Sequence, residues 1–500
     1  MEDKLNRLKE RLHEISDLNG AQAVLGWDHQ TYMPRGGAED RGDQLATLAH
    51  LAHQRFVSDE MGQLLDAVEP LAAQLDPQSD DACLVRVARR EYKRFTRVPA
   101  RWVGDFARAT TIGQSVWEQA RAESNFALFR PQLEEIIRLR QEYASFFAPY
   151  DHIYDPLLDE FEPGLKTAEV QEIFGRLRES QVALVQAVLE KPEVEDAFIR
   201  VPYPEKGQWD FGVEVISRLG YDWTRGRLDK SAHPFSTAFG IGDVRITTRF
   251  DPDHSMAALF GTMHECGHAL YEQGIDPALR RTPLAGGASM AVHESQSRLW
   301  ENLVGRSRPF WKHYFKRAQE YFPEHLGNVD LEGFYRAINK VERSLIRVEA
   351  DEATYNLHIM LRLELEIAML EGSLEVRDLP EAWNARMQSY LGVLPPNDAK
   401  GVLQDIHWAG GMVGYFPTYA LGNLISVQLW EKIHQDLPNL EEQIEQGEFS
   451  PLREWLREHV HRHGAKFQPQ ELVLQVTGSR IDPEPYIRYL QAKFGEIYAL

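Results

Sequence analysis

Cysteine is almost missing from these 500 residues: only Cys83 and Cys266 occur, so no disulfide framework can hold the fold. Such usage fits a reducing compartment, and a cytoplasmic protein is expected. No stretch approaches the roughly 20 consecutive apolar residues that a bilayer-spanning helix needs. The first residues, Met-Glu-Asp-Lys-Leu-Asn-Arg-Leu-Lys-Glu-Arg, are charged throughout and lack the apolar centre of a secretory signal. Basic excess is missing too. The formal net charge is -21, and a surface of that sign repels nucleic acid and anionic membranes, so neither is expected as a partner. Internal repeats, low-complexity tracts and Ser/Gly/Pro-rich linkers are absent. Only the proline-bearing stretch 193–210 offers a lobe boundary. The expectation is one domain over 1–500, with two lobes around a central cleft as its division.

What remains is ordinary globular material, 43% apolar and 26% charged. Helical periodicity dominates it. Leu5, Leu8, Leu12, Ile15 and Leu18 make one apolar stripe at steps of three and four. Similar stripes run through 40–66, 80–96, 102–122, 131–148, 167–191, 254–273, 288–304, 332–372, 421–446 and 483–498. Strand signals are scarce. The clearest is 243–250, where Val244, Ile246, Thr248 and Phe250 alternate with Arg245, Thr247 and Arg249. The turn-like Phe239-Gly240-Ile241-Gly242 before it predicts a small hairpin or three-stranded sheet. The fold class expected is mainly α, with a small sheet beside a large helical body.

Chemistry enters at His264-Glu265-Cys266-Gly267-His268. Residues four apart share a helix face, so His264 and His268 can present two imidazoles to one metal. Glu265 follows the first histidine, close enough to hold and deprotonate a water at that metal. Around it, Ala257, Leu259, Phe260, Met263, Ala269 and Leu270 predict a buried helix. Catalytic zinc commonly takes three protein ligands and keeps one position open. Glu294 is the third ligand expected: the intervening Thr282-Pro283-Leu284-Ala285-Gly286-Gly287 supplies a loop, and a returning helix would carry the acid. Neighbouring His293 is the rival ligand. Arg298 and Glu301 follow Glu294 at helical spacing, so an ordinary salt-bridged face is the bland alternative. Cys266 should point away from the metal as a buried thiol.

With these residues in view, the chain resembles the carboxypeptidase Taq family of HExxH metallocarboxypeptidases over nearly its whole length. The resemblance rests on Gly26-Trp27-Asp28, Asp243-Val244-Arg245-Ile246-Thr247, the zinc motif, His293-Glu294-Ser295-Gln296, Ile346-Arg347-Val348-Glu349-Ala350-Asp351 and Gly401-Val402-Leu403-Gln404-Asp405-Ile406-His407-Trp408. It implies a mostly helical fold with a deep groove, a homodimer, and release of single C-terminal amino acids with broad side-chain tolerance. It also implies zinc held by the two motif histidines and by the glutamate matching Glu294, with cobalt as an activating substitute.

A carboxypeptidase must grip a terminal carboxylate, which a fixed arginine does best through two parallel hydrogen bonds. Arg347, placed by its stripe on a long helix 332–372, is the first choice; a salt bridge to Glu349, Asp351 or Glu342 is the alternative. Arg245 competes, or pairs with Asp243 and shapes the groove. His407 and Tyr415 are candidates to donate to the developing oxyanion, on a stretch whose glycines Gly410, Gly411 and Gly414 permit close backbone approach. Strand 243–250 could offer an exposed edge to an extended peptide. The function expected is zinc-dependent release of C-terminal residues from peptides. A zinc oligopeptidase cutting internally in short peptides is the alternative, and a non-catalytic helical scaffold with a relic metal site is a more distant one. An intact Glu265 speaks against the scaffold.

Overall fold

Most of the helical stripes become helices, and those that break do so where a side chain captures backbone donors or a proline removes one. The computed structural model describes residues 2–500, with side chains from Asp3 onward. The stripe at 40–66 divides into Ala38–Phe56 and Asp59–Ala72, because Ser58 turns out of the helix and its hydroxyl accepts from Met61 N. The stripe at 421–446 divides into Pro417–Asp436 and Leu440–Glu445, with Pro438 between them unable to continue a helix.

The largest correction concerns 332–372. It is not one helix but two, Leu331–Ile338 and Tyr355–Glu371, separated by irregular chain and a short 3-10 turn, Arg347–Glu349. Asp351 is the physical reason. Its carboxylate accepts from Ala353 N at 2.9 Å, Thr354 N at 3.1 Å and Glu342 N at 3.1 Å. Those donors are thereby satisfied outside any helix, and the backbone has no need to wind. Arg347 therefore sits in a turn and not on a helix face.

Two compact units divide the chain. The first comprises Met1–Thr96, Glu195–Ile338 and Leu429–Gly478; the second comprises Arg97–Val194, Asn339–Gln428 and Ser479–Leu500. In the first unit, Leu5, Leu8 and Leu12 of the opening helix Glu2–Thr31 pack with Leu65, Val68 and Leu84 of the following helices into one apolar core. The same unit holds the sheet, with strands β1 (Leu228–Lys230), β2 (Ser236–Gly240) and β3 (Asp243–Thr248).

The sheet order is β1-β3-β2, with β1 parallel and β2 antiparallel to β3. The strand read from 243–250 is thus central. Both its edges are taken, so it has none to offer a peptide, contrary to the expectation above. Its Val244 and Ile246 are fully buried, and Thr248 receives a hydrogen bond from Thr262 of the helix Ala257–Gly274 at 2.9 Å. The sheet thereby seats the helix that carries the motif.

The second unit is built on helices alone. Ala100–Ala122 and Phe126–Ser145 pair, and Tyr355–Glu371 packs with Thr167–Leu189 and Leu379–Leu391. Among the described residues no helix is long and apolar enough to cross a membrane.

Candidate metal centre

The motif helix Ala257–Gly274 is buried around nearly its whole circumference, so it runs through the interior of the first unit and not along its surface. Gly267 decides what can lie beside it. A Cβ at that position would meet the Gln296 carbonyl oxygen at 2.6 Å and Ser297 Cα at 2.7 Å, so only glycine lets the helix Met290–Arg298 come this close. Ser289 starts that second helix by accepting from Val292 N at 3.1 Å. A π-helical turn, Leu299–Val304, extends it.

Close packing brings three donors together. His264 Nε2 lies 3.6 Å and His268 Nε2 3.4 Å from the same Glu294 oxygen, Oε2. The three residues form the one potential metal-holding group among the described residues, with donor atoms all within 4.8 Å of one another. A tetrahedral ion with bonds of about 2.1 Å needs neighbouring donors about 3.4 Å apart, so this set fits a zinc-sized ion. Two imidazoles and one carboxylate also leave a fourth direction open for water or substrate. Glu294 is the third member, as the spacing predicts, and His293 is not; its ring points to other partners.

Electrostatics support the arrangement. Burial pushes the Glu294 carboxyl up, but Arg298, whose Nε donates to Glu294 Oε1 at 2.7 Å, and the two histidines outweigh it and hold it well below the usual carboxylate range. Burial lowers His268 to about 3, so its imidazole is neutral and its lone pair available. For His264 burial acts the same way, yet Glu294 and Glu301 outweigh it and raise the imidazole. Arg298 also donates to Glu301 at 3.2 Å. The salt-bridged face and the ligand face are therefore the same face.

Glu265 differs from every other acid here. It is 7% exposed, and among the described residues it has no hydrogen-bond or ion-pair partner. Burial pushes its carboxyl up to about 7 against the opposing pull of His264. A buried carboxylate without a partner is costly for stability, so its presence calls for a role in chemistry. Cys266, fully buried, has its thiol driven up by the same cause and is inert.

The other sequence candidates sit in settled networks. Arg245 donates to both oxygens of Asp243 at 2.8 Å and stacks over Trp27 at 4.4 Å and Phe239 at 4.7 Å, so the Gly26-Trp27-Asp28 and Asp243–Thr247 motifs meet each other. In the second unit, Arg347 Nε and Nη2 donate to Asp405 Oδ1 at 3.0 and 2.9 Å, and its Nη1 to the Tyr355 hydroxyl at 3.0 Å. Its partner is Asp405, not Glu349, Asp351 or Glu342. Arg362 Nε takes the other Asp405 oxygen at 2.8 Å. His407 Nδ1 lies 3.9 Å from Asp405, its Nε2 3.3 Å from the Tyr419 hydroxyl, and its ring centroid 5.6 Å from that of Tyr415. Burial and then Arg347 push His407 down to about 4, which keeps it neutral.

Sequence reasoning overlooked Asp405 as the hub of two arginines and Glu272 as a supporting acid. A signal for the second existed: Glu272 continues the step of four from His264 and His268. Replacing Glu294 by alanine removes one donor of three and leaves Arg298 facing the gap. We expect the Glu294→Ala protein to lose its stoichiometric metal, as metal analysis after dialysis will read; full retention would exclude Glu294 as a ligand.

Comparison with known proteins agrees with this geometry. The family model described as carboxypeptidase Taq (M32) metallopeptidase matches residues 7–494. The thermostable carboxypeptidase 1 of Thermus thermophilus is 44% identical over 98% of both chains, and carboxypeptidase 1 of Bacillus subtilis is 41% identical over 98% of this chain and 97% of its own. The crystal structure of the M32 carboxypeptidase from Deinococcus radiodurans R1 superposes with a TM-score of 0.97 at 43% identity, covering 100% of each chain. A match from end to end, on a motif helix whose donors already converge, leaves one conclusion: the chain belongs to the carboxypeptidase Taq (M32) metallopeptidase family and is a metallocarboxypeptidase, a peptide hydrolase.

Proposed function

We propose that the chain uses one zinc ion, held by His264, His268 and Glu294, to release single amino acids from the free C-termini of peptides with broad side-chain tolerance. The observation that carries this reading is the unpartnered, buried Glu265 next to a three-donor set of zinc dimensions. A zinc ion there supplies Lewis acidity, which makes water a nucleophile near neutral pH and polarises the scissile carbonyl. Glu265 removes the proton from the attacking water and returns it to the departing amine. Its raised carboxyl suits both halves of that exchange.

His407, kept neutral, and Tyr415 are our candidates to donate to the oxyanion as charge develops. Arg347 and Arg245 remain in the substrate-binding proposal in a supporting capacity. Each already spends its fork on an aspartate, so to hold a substrate carboxylate either would have to exchange partners. Cobalt, with similar ligand preferences, is expected to replace zinc. Two free thiols suit a cytoplasmic location. A homodimer is carried over from the family resemblance.

Timed mass spectrometry of one defined peptide tests the reading. The metal-stripped protein should be inactive, and zinc or cobalt should restore stepwise loss of one residue at a time from the free-acid peptide. The same peptide with an amidated C-terminus should survive. Internal fragments, or equal cleavage of the amide, would replace this reading with an oligopeptidase.

A further inference from the structure

The two histidines of the centre are gripped from behind in different ways. His264 Nδ1 lies 2.9 Å from a Glu301 oxygen, a direct carboxylate hold. His268 has no carboxylate at its Nδ1. Instead its Nδ1 lies 2.7 Å from Nδ1 of His293, and His293 Nε2 lies 2.8 Å from Glu272 Oε1. One arrangement of hydrogens satisfies this row. As a metal ligand His268 offers a bare Nε2, so its Nδ1 carries the hydrogen and donates; His293 then accepts at Nδ1 and donates from Nε2 to Glu272.

We infer that His293 is a positioning residue of the metal centre: it transmits the hold of Glu272 to His268, in two links where Glu301 holds His264 in one. The inference rests on the metal-site reading above and adds a residue outside the three donors.

The surroundings fix the His293 ring where that relay needs it. The Tyr271 ring lies against it, with centroids 5.0 Å apart, and the Tyr271 hydroxyl is itself pinned by Ala288 N at 3.0 Å. Gly287 closes the remaining side. A Cβ there would stand 2.7 Å from His293 Cδ2 and 3.2 Å from Tyr271 Cε1. Since two hydrogen bonds and an aromatic neighbour hold the ring, an added methyl can be accommodated only by shifting it off one of its partners. Outer-shell groups that orient a metal-bound imidazole affect affinity strongly, by roughly 10–100-fold.

The test is zinc affinity, measured by competition with a chromogenic chelator on the metal-stripped full-length protein, with circular dichroism as a control for folding. His293→Ala should bind zinc roughly 10–100-fold more weakly. Glu272→Gln should weaken it in the same direction, and the double variant should be no worse than His293→Ala alone, because both act through one row. His293→Gln, which can still accept from His268 and donate to Glu272, should recover part of the loss. Gly287→Ala should weaken binding while leaving every polar group in place, and it carries the test if His293→Ala does not fold. Affinities within twofold of the parent for Gly287→Ala and Glu272→Gln, or additive losses in the double variant, would overturn the inference. Failure of the parent itself to bind zinc would instead overturn the metal-site reading and this inference with it.

Discussion

Glu265→Gln is expected to keep its metal and lose turnover by roughly 10²–10⁴-fold, the contribution of a positioned proton-transfer group. Glutamine has the same shape as glutamate but cannot take a proton from water at neutral pH. None of the three donors is touched, so metal content should match the parent. Stability should move the other way. In the metal-free protein the folded state raises this carboxyl from its usual 4.5 to about 7 by burial, so the folded form holds a proton that the unfolded form has released. Stability therefore falls as pH rises from the unfolded value through about 7, and the full cost is present above that. The amide carries no such cost, so the metal-free variant should unfold later than the metal-free parent at pH 8 and equally at pH 4. Turnover close to the parent's, measured with saturating zinc, would remove Glu265 from the chemistry.

Asp405→Ala should be the most damaging single change in the second unit. Arg347 is 5% exposed and Arg362 0%, and one carboxylate faces both. Burial acts to raise the Asp405 carboxyl, but Arg347 and Arg362 outweigh it and hold it far below the usual carboxylate range. The stability it confers is therefore present above the unfolded carboxylate value and is lost only in strong acid, as pH falls through the depressed folded value. Removing it leaves two guanidinium groups buried without their counter-ion, a loss of about 3–5 kcal/mol for breaking such a pair. Urea unfolding near neutral pH should show a clearly lower midpoint. Arg347 should also lose its fixed orientation, so hydrolysis at a temperature where the variant remains folded should fall as well. An unchanged midpoint would mean that Arg347 and Arg362 find other partners.

These two sites also mark what could be read from sequence and what could not. The convergence of His264, His268 and Glu294 was legible because a helix converts spacing into direction: steps of four face one way, and a loop followed by a returning helix brings an acid back. No such rule connects Arg347 with Asp405, which lie 58 positions apart on irregular chain. The long helix expected over 332–372 failed because apolar periodicity carries no information about Asp351 taking backbone donors for itself. Strand β3 was legible through its alternation, but its central position was not. The partner on one side, β1, has only three residues and is joined in parallel from a non-adjacent part of the sequence. The Glu272–His293 link escaped for a similar reason: a hydrogen-bonded row between two helices leaves no period in either.

The bare backbone at position 267 has a wider meaning. In the five-letter signature the third and fourth letters are written as wildcards, yet here the fourth sets how near a neighbouring rod of chain can come, and so whether a carboxylate 27 residues downstream (294 − 267) reaches the two rings at all. The unnamed letter is thus a spacer of zero thickness, as demanding of its occupant as the letters the signature spells out. A chain with both histidines and the glutamate intact but a bulkier residue in that slot would display the signature without the geometry.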